Sequence, residues 1–197
     1  MSPLSNSVPR ELPESLSNED KNALLQIARR SLVETIVHGN RWQPDTVAGR
    51  LAERRGAFVT LELRGKLRGC VGLIEPPNSL ALTVARCAIA AAREDDRFHP
   101  VQPDEVAQLT IEISVLSPPK PIVQSEIEVG RHGLIVERGP FRGLLLPQVA
   151  TERNWTPGKF LSETCLKAGL PADSWKSAET QVFGFTADIF SETEPAL

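Results

Sequence analysis

Two segments of this chain carry the same pattern of apolar residues, arginine and glycine, and this repetition limits the folds that the chain can adopt. Residues 61–71 read LELRGKLRGCV, and residues 136–145 read VERGPFRGLL. At an offset of 74 positions the shared residues are Gly65 with Gly139, Arg68 with Arg142, and Gly69 with Gly143. Apolar residues on both sides of a glycine-containing turn are typical of a β-hairpin.

Each hairpin is followed by a helical pattern and then by an alternating strand, so the order β-β-α-β occurs twice. Helices are predicted over residues 18–39, 79–93 and 156–169, and strands over residues 57–63, 67–73, 109–116 and 182–190. An internal duplication would produce this order. The expected fold class is α+β, with two subdomains, mixed or antiparallel sheets flanked by helices, and a cleft between the subdomains.

Composition indicates where the domain begins. Residues 1–17 contain three prolines and five serines, which predicts a disordered tail. Residues 18–192 are expected to form the domain, with the first repeat over about 41–122 and the second over about 127–192. Ser17 and Asp20 resemble a capping box at the start of the first helix.

The charge balance argues against binding to nucleic acid or to an anionic membrane. The net charge is −3, Tyr is absent, and aromatic residues make up 5% of the chain, so base stacking would have few participants. Residues 41–68 are the exception, with seven Arg or Lys against three acidic residues. That stretch is interpreted either as a solvated face or as a site for an anion or an acidic partner.

The chain has no sequence signal for a membrane or a secretory route. The apolar stretch at residues 80–92 is interrupted by Thr83 and Arg86 and is too short to span a bilayer. The first residues lack a basic segment followed by an apolar run. A cytoplasmic location is therefore predicted.

Three cysteines at wide spacings are the main source of candidate chemistry. The absence of a C-x-x-C pair excludes a zinc ribbon or a thioredoxin-like motif. Cys87 and Cys165 fall on the apolar sides of predicted helices, so we expect them in the core. The three histidines lack metal-binding spacing, so no dedicated metal site is predicted, although a site built from Cys70, His132 and an acid stays open. No cofactor can be identified.

Cys70 is the sharpest candidate for a catalytic residue. In a strand, the period of two places Arg68 and Cys70 on one face, where a guanidinium favours the reactive thiolate. Gly69 and Gly72 would let a ligand or another backbone approach closely. His132 is the candidate base, since a Cys-His pair needs only spatial proximity.

Each of these residues also has a purely structural interpretation. The repeat places Leu144 where Cys70 lies, so the thiol could serve as a small apolar side chain. His132 could be a turn residue bonded to backbone. Arg97, which follows three acidic residues, is either a ligand-binding residue or part of a local ion pair. Gln148 points into the cleft or satisfies backbone groups.

Several motifs together resemble the AMMECR domain family, which includes AmmeMemoRadiSam system protein A. The segments that carry the resemblance are LRGCVG at 67–72, DRFHP at 96–100, VGRHGL at 129–134 and LLLPQVA at 144–150, followed by Trp155. The similarity runs from about residue 21 to residue 192. It implies an α+β fold of two unequal subdomains with a cleft, and a link to Memo-like and radical-SAM proteins. It does not bring an established reaction.

Three functions follow from this sequence. The first is a small-molecule-binding protein or enzyme whose cleft is lined by the Arg68-Cys70 face, His132 and Gln148, with Arg68 holding an anionic group. The second is a non-catalytic adaptor of the Memo-like and radical-SAM system. The third, nucleic-acid binding through residues 41–68, is disfavoured by the net charge. The sequence does not fix the substrate or the oligomeric state, and a homodimer is among the states left open.

Overall fold

The computed structural model describes residues 16–45 and 47–193, which form two four-stranded sheets with helices packed against them. The helices are α1 (Asn18–Leu32), α2 (Leu80–Arg93), α3 (Pro147–Glu152) and α4 (Pro157–Lys167). The strands are β1 (Ala57–Leu63), β2 (Lys66–Leu73), β3 (Leu109–Leu116), β4 (Lys120–Pro121), β5 (Gly133–Arg138), β6 (Phe141–Leu145), β7 (Gln181–Phe185) and β8 (Ala187–Ser191). The described strand pairs are antiparallel, so the predicted α+β class is confirmed.

The first helix begins where the capping box was predicted. Ser17 Oγ accepts the Asp20 N–H at 3.1 Å, and Asp20 Oδ2 accepts the Ser17 N–H at 3.0 Å. A π-helical turn (Val33–Val37) extends α1, and Gly39, with φ +70°, follows it. Most of the predicted tail, residues 1–15, lies outside the described residues. Leu16 is buried, so it and Ser17 belong to the fold.

Sheet A, in the order β2-β1-β3-β8, carries the larger core on one face. Alternate residues of β1 and β3 are fully buried and point toward α1 and α2, among them Val59, Leu61, Ile111 and Ile113. Nine residues of the 14-residue α2 are buried against this face, as its apolar composition predicts. Within the described part of the chain, no helix has both the length and the apolar character needed to cross a membrane.

Sheet B, in the order β4-β7-β5-β6, packs α4 on one face. Thr156 caps α4 by accepting the Lys159 N–H at 3.3 Å, and Pro157 occupies the first turn, as predicted. The opposite face meets sheet A through a small apolar cluster of Leu116, Ile135 and Phe185, with Phe58 packed against it.

Each half of the chain contributes one strand to the sheet of the other half. The first half runs β1-β2-α2-β3 and the second runs β5-β6-α3-α4-β7, so the predicted order β-β-α-β recurs with one additional short helix, α3, in the second half. The central strands are arranged as β2-β1-β3 and β6-β5-β7. The strand that follows the first unit, β4, pairs with β7, and the strand that follows the second unit, β8, pairs with β3. The predicted duplication would give this topology, and the origin of the repeat stays a prediction.

The prediction of one continuous strand over residues 182–190 is wrong. The chain breaks at Thr186 and passes from sheet B to sheet A. At this point Ser117 and Thr186 lie side by side: Thr186 O accepts the Ser117 N–H at 2.8 Å, and Ser117 Oγ accepts the Thr186 N–H at 3.0 Å. The two connections between the sheets are therefore bonded to each other, which alternation along a single segment cannot reveal.

Candidate functional site

Cys70 lies on β2, at the edge of sheet A, on the face that points away from α1 and α2. We call this half-exposed surface the open face; it carries Phe58, Thr60, Glu62, Cys70, Gly72, Glu112, Ser114 and Ile189. Cys70 pairs with Thr60 in the register, and its Sγ accepts a hydrogen bond from Thr60 Oγ1 at 3.3 Å. The thiol is therefore partly accessible and has a hydroxyl donor beside it.

The other two cysteines are core residues, as predicted. Cys87 and Cys165 are almost completely buried. Burial raises the pKa of the Cys87 thiol to about 11 and also raises the pKa of the Cys165 thiol. Since the thiolate is the nucleophile, both groups are held in the unreactive form.

A row of polar side chains crosses the open face at the level of Cys70. The register places Cys70 opposite Thr60, Thr60 opposite Glu112, and Glu112 opposite Ser191. Burial raises the pKa of the Glu112 carboxyl, and the neighbouring Glu62 carboxylate raises it further. A thiol, a hydroxyl and a carboxyl with an increased affinity for its proton thus lie on three successive strands.

The backbone of Cys70 is bonded to the loop that follows α2. The Cys70 N–H donates to Asp95 Oδ2 at 2.8 Å. Arg97 donates to the same carboxylate from Nε at 2.8 Å and from Nη2 at 2.7 Å, so the predicted local ion pair is confirmed. The Arg97 guanidinium holds the pKa of the Asp95 carboxyl well below its usual range, aided by the Cys70 and Arg97 backbone N–H groups and opposed by burial. Asp95 thereby closes the free edge of β2 at Cys70.

Arg68 occupies a β-bulge, because Glu62 pairs with Leu67 while Leu61 pairs with Gly69. Its guanidinium forms a two-point ion pair with Glu105, at 3.0 and 2.9 Å, and donates to the His99 carbonyl at 2.7 Å. This pair lowers the pKa of the Glu105 carboxyl. Among the described residues, the donor to Cys70 Sγ is Thr60 and not Arg68. The expectation that Arg68 activates the thiol from the same face therefore has no contact to support it.

The two glycines of this segment serve close packing. A methyl group at Gly69 would lie 2.0 Å from the Ala91 carbonyl oxygen of α2, so here another backbone makes the close approach. The space over Gly72 is filled by the ring of Phe58, its neighbour across the strand pair. Of the two predicted alternatives, a ligand or another backbone, the structure has a backbone beside Gly69. At Gly72 the aromatic ring of Phe58 covers the glycine.

His132 lies in a turn, in a different part of the molecule from Cys70. Its ring Nδ1 accepts the Glu128 backbone N–H at 3.0 Å, and the His132 backbone N–H donates to the Glu128 carbonyl at 3.0 Å. Neutral His132 therefore carries its proton on Nε2. It lines a cleft of about 1100 Å³ where the two sheets meet, here called the junction cleft, whose walls include Lys21, Arg55, Ser117, His132, Phe185 and Asp188. Cys70 is not among the residues that line this cleft.

Gln148, the last predicted site residue, is exposed on α3 and lies outside the junction cleft. The structure therefore brings Arg68, Gly69, Cys70, Gly72 and Arg97 together around β2 and leaves His132 and Gln148 elsewhere. Across residues 16–45 and 47–193, no three His, Cys, Asp or Glu side chains are arranged to hold a metal ion.

The basic stretch at residues 41–68 is not a uniformly solvated face. Arg50 and Arg55 are 8% and 6% exposed, so that interpretation is wrong for these two residues. Both line the junction cleft. Arg55 also lines a smaller cavity of about 280 Å³, the apolar pocket, together with Ile74, Leu116, Ile135, Leu144 and Phe185.

Sequence reasoning missed Thr60, Glu112, Asp95 and Arg55. Strand alternation would have placed Thr60 and Glu112 on the polar face of the sheet, but it does not give the register that aligns them with Cys70. Asp95 lies directly before the DRFHP segment, and that motif does not indicate which carboxylate binds the Cys70 N–H and Arg97. Arg55 had no distinguishing signal, because its burial depends on contacts with distant segments.

The known proteins most informative here are of archaeal origin. A model of the AMMECR1 family matches residues 25–190. A protein of Methanothermobacter thermautotrophicus is 46% identical over 185 residues, which cover 90% of this chain and 96% of that protein. A protein of Methanopyrus kandleri is 43% identical, covering 92% of this chain and 93% of that one. The crystal structure of an uncharacterized protein from Pyrococcus horikoshii has a TM-score of 0.69 and 42% identity, covering 87% of this chain and 91% of that one.

Proposed function

This chain belongs to the AMMECR1 family, and we propose that it is a small-molecule-binding protein or enzyme that acts at the open face around Cys70. The observation that carries the proposal is the row in which Cys70, Thr60 and Glu112 lie on three successive strands of a half-exposed sheet face. The bound molecule would lie against this row, within reach of the Cys70 thiol.

The proposed roles follow from the chemistry of the three groups. Cys70 is the nucleophile or the ligand-contacting thiol. The Thr60 hydroxyl, 3.3 Å from Sγ, stabilises the thiolate by donating a hydrogen bond. Glu112, whose pKa is raised, exchanges a proton with the bound molecule. Glu112 replaces His132 in this role, because His132 lines the junction cleft and Cys70 does not.

Arg68, Gly69, Gly72 and Arg97 act in this proposal as positioning residues. Arg68 binds the segment after α2 through Glu105, and Arg97 orients Asp95, which accepts the Cys70 N–H. The glycines allow α2 and Phe58 to pack against the strand. These contacts fix the geometry of Cys70, and none of these four residues is required to touch the ligand.

The proposal is tested by the rate of thiol alkylation. We expect iodoacetamide to modify Cys70 several-fold faster than free cysteine at pH 7 to 8, while Cys87 and Cys165 in the same folded chain stay unmodified. Thr60→Val should slow the reaction by removing the donor to Sγ. Glu112→Gln should accelerate it, since a neutral amide no longer opposes the negative thiolate. A Cys70 no more reactive than free cysteine, and insensitive to both substitutions, would sink the proposal.

An association with Memo-like and radical-SAM proteins is part of the proposal, and it rests on the family resemblance. A non-catalytic adaptor is the second candidate. It is favoured by two exposed apolar side chains on the strands of sheet A, Leu67 at 43% and Ile189 at 51% exposure. Leu67 and Ile189 lie on the two edge strands of sheet A, β2 and β8, so a partner that contacts both would cover the open face between them.

Co-purification from native extract separates the two candidates. An adaptor predicts that Ile189→Lys abolishes complex formation while Cys70→Ser does not, and that Cys70 has ordinary reactivity. Arg54 is exposed, so a substitution there tests whether surface charge is needed for complex formation. Arg50 and Arg55 are not, because their substitution would disturb a buried region.

A further inference from the structure

The junction cleft contains a buried cation with an unused donor. Arg55 is 6% exposed, and its Nε donates to the Leu116 carbonyl at 3.0 Å. Its Nη1 is buried and has no hydrogen-bond partner among the residues described. Within that same set, no carboxylate oxygen lies within 4.0 Å of its guanidinium. A buried charged donor without a partner is unfavourable and calls for an explanation.

The surroundings of Arg55 do not neutralise it. Burial lowers the pKa of the guanidinium; Glu53 raises it, Arg50 lowers it and Asp188 raises it. Glu53 lies 3.9 Å from Arg50, and Asp188 forms an ion pair with Lys21 at 2.8 Å. The two nearby carboxylates are thus engaged by other cations, and a positive charge stays at the wall of the cleft.

The other charged side chains of the cleft are largely engaged with one another. Lys21 pairs with Asp188, Arg50 lies 3.9 Å from Glu53, and Arg131 pairs with Glu128, so the anion site that this lining offers is at Arg55. His132 adds a neutral donor, because its Nδ1 accepts a backbone N–H and its proton lies on Nε2. A cleft of about 1100 Å³ is large enough for a small organic molecule.

The apolar pocket, which Arg55 also lines, indicates which kind of anion the junction cleft can bind. The junction cleft and the apolar pocket share Arg55, Ser117, Pro118 and Phe185. The rest of the apolar pocket's lining includes the apolar side chains of Ile74, Ile135 and Leu144, together with Arg54 and Glu75. A ligand bound at Arg55 would therefore place its charged group in the cleft and an apolar part beside Phe185.

We infer that the junction cleft binds a small organic anion, with Arg55 as the buried anchor for its carboxylate or phosphate group and the apolar pocket as the site of its hydrocarbon part. Arginine suits this role because its planar fork of donors matches both anions. The inference goes beyond the chemistry proposed for Cys70, which lies outside the cleft, and does not depend on it.

The test is a titration of the full-length protein with two probes, hexanoate and inorganic phosphate, followed by NMR of the arginine Nε–H groups. The Arg55 resonance is assigned through bonds from its backbone. We expect a saturable shift of this resonance with hexanoate. Arg55→Gln should weaken hexanoate binding at least tenfold in calorimetry, whereas Arg41→Gln, at an exposed position that lines neither cavity, should change it less than twofold.

Three outcomes would count against the inference. No saturable shift with either probe would overturn it, as would an Arg55→Gln variant that binds hexanoate like the wild type. A response to phosphate without one to hexanoate would overturn the assignment of a hydrocarbon part. If Arg55→Gln does not fold, the wild-type titration still decides. Cys70→Ser should keep hexanoate binding and lose rapid alkylation, so a failure of one proposal is distinguishable from a failure of the other.

Discussion

In the first half of the chain Cys70 pairs with Thr60 across β1 and β2, and in the second half Leu144 pairs with Ile135 across β5 and β6. Both pairs lie on the face of their sheet that points away from the helices. Ile135 is 2% exposed and packs with Leu144 in the cluster where the two sheets meet, whereas Cys70 and Thr60 are half-exposed. The same position is therefore apolar where the other sheet covers it and polar where the surface is open.

Arg68 and Arg142, which lie two positions before Cys70 and Leu144, also differ between the halves. Arg68 binds within its own half, to Glu105 and the His99 carbonyl. Arg142 forms its ion pairs with Glu137 and with Glu75, which follows β2 in the other half. One arginine fixes a local loop and the other links the halves. By contrast, Gly69 and Gly143 have the same role, since Gly69 lies against the backbone of α2 and Gly143 lies against the backbone of Ala168, the C-cap of α4.

The largest effect is expected from a methyl group at either glycine. Gly69→Ala would place Cβ 2.0 Å from the Ala91 carbonyl oxygen, and Gly143→Ala would place it 2.3 Å from the Ala168 nitrogen. Neither backbone can yield easily, so each variant should lose about 3 kcal/mol or more of unfolding free energy. Gly65→Ala is the control: its φ is +71° and no atom lies within 4 Å, so about 1 kcal/mol is expected. Chemical denaturation measures the free energy of unfolding of all three variants. A loss for Gly69→Ala or Gly143→Ala no larger than that for Gly65→Ala would contradict the shared role.

The next effect separates the two arginines. The side chains of Arg68 and Glu105 are 15% and 21% exposed, while those of Arg142 and Glu75 are 37% and 63% exposed. Arg68→Ala should therefore cost about 2 kcal/mol, because buried carbonyl and carboxylate acceptors lose their donor. Arg142→Ala should cost less than about 1 kcal/mol, since exposed pairs are screened by water. Equal free energies of unfolding for the two variants would remove this distinction between the halves.

Asp95, which accepts the Cys70 N–H, makes the stability of the first half depend on pH. Leu144, at the position of Cys70 in the second half, carries no titratable group. The folded-state pKa of Asp95 is lowered, so its contribution to stability is complete above the unfolded pKa of about 4 and is lost as pH falls below it. Asp95→Asn should cost about 1–2 kcal/mol at pH 7, a figure reduced because Arg97 is exposed. The gap between variant and wild type should narrow below pH 4 in urea titrations. A gap that stays constant from pH 7 to pH 3 would contradict the ion pair.

A small change in stability is expected from placing the apolar pair of the second half on the open face. A chain carrying Thr60→Ile and Cys70→Leu should keep its stability within about 1 kcal/mol, because the open face is half-exposed, and should lose its reactive thiol. Leu144→Cys should cost about 1–2 kcal/mol by removing packing where the sheets meet. Mass spectrometry after alkylation then reports whether a cysteine at 144 reacts. Reactivity equal to that of Cys70 would show that the open face confers nothing special on its thiol.

The sequence predicts the local elements well because their signals are local. The capping box at Ser17, the α4 cap at Thr156 and the alternation of β3 all appear where expected. The exchange of β4 and β8 could not be predicted, because the residues that pair with each strand come from the other half of the chain.

The candidate site divides in the same way. Cys70 and its two flanking glycines were identified from a short motif, and all lie on β2. The bulge at Arg68 changes the period of two on which its predicted role depended. The alignment of Cys70 with Glu112 and the burial of Arg55 depend on strand register and on distant packing. Neither leaves a periodic pattern in the segment concerned.

The position of β8 has a consequence for synthesis on the ribosome. Glu112 in β3 pairs with Ser191 of β8, so sheet A has only three strands until β8 has left the exit tunnel. Until then, the outer edge of β3 has unpaired backbone groups that can pair with other chains. A nascent chain stalled before residue 187 would carry both units of the repeat and still expose that edge. The emergence of β8, and not completion of the first unit, is thus the step that protects this edge from misassembly.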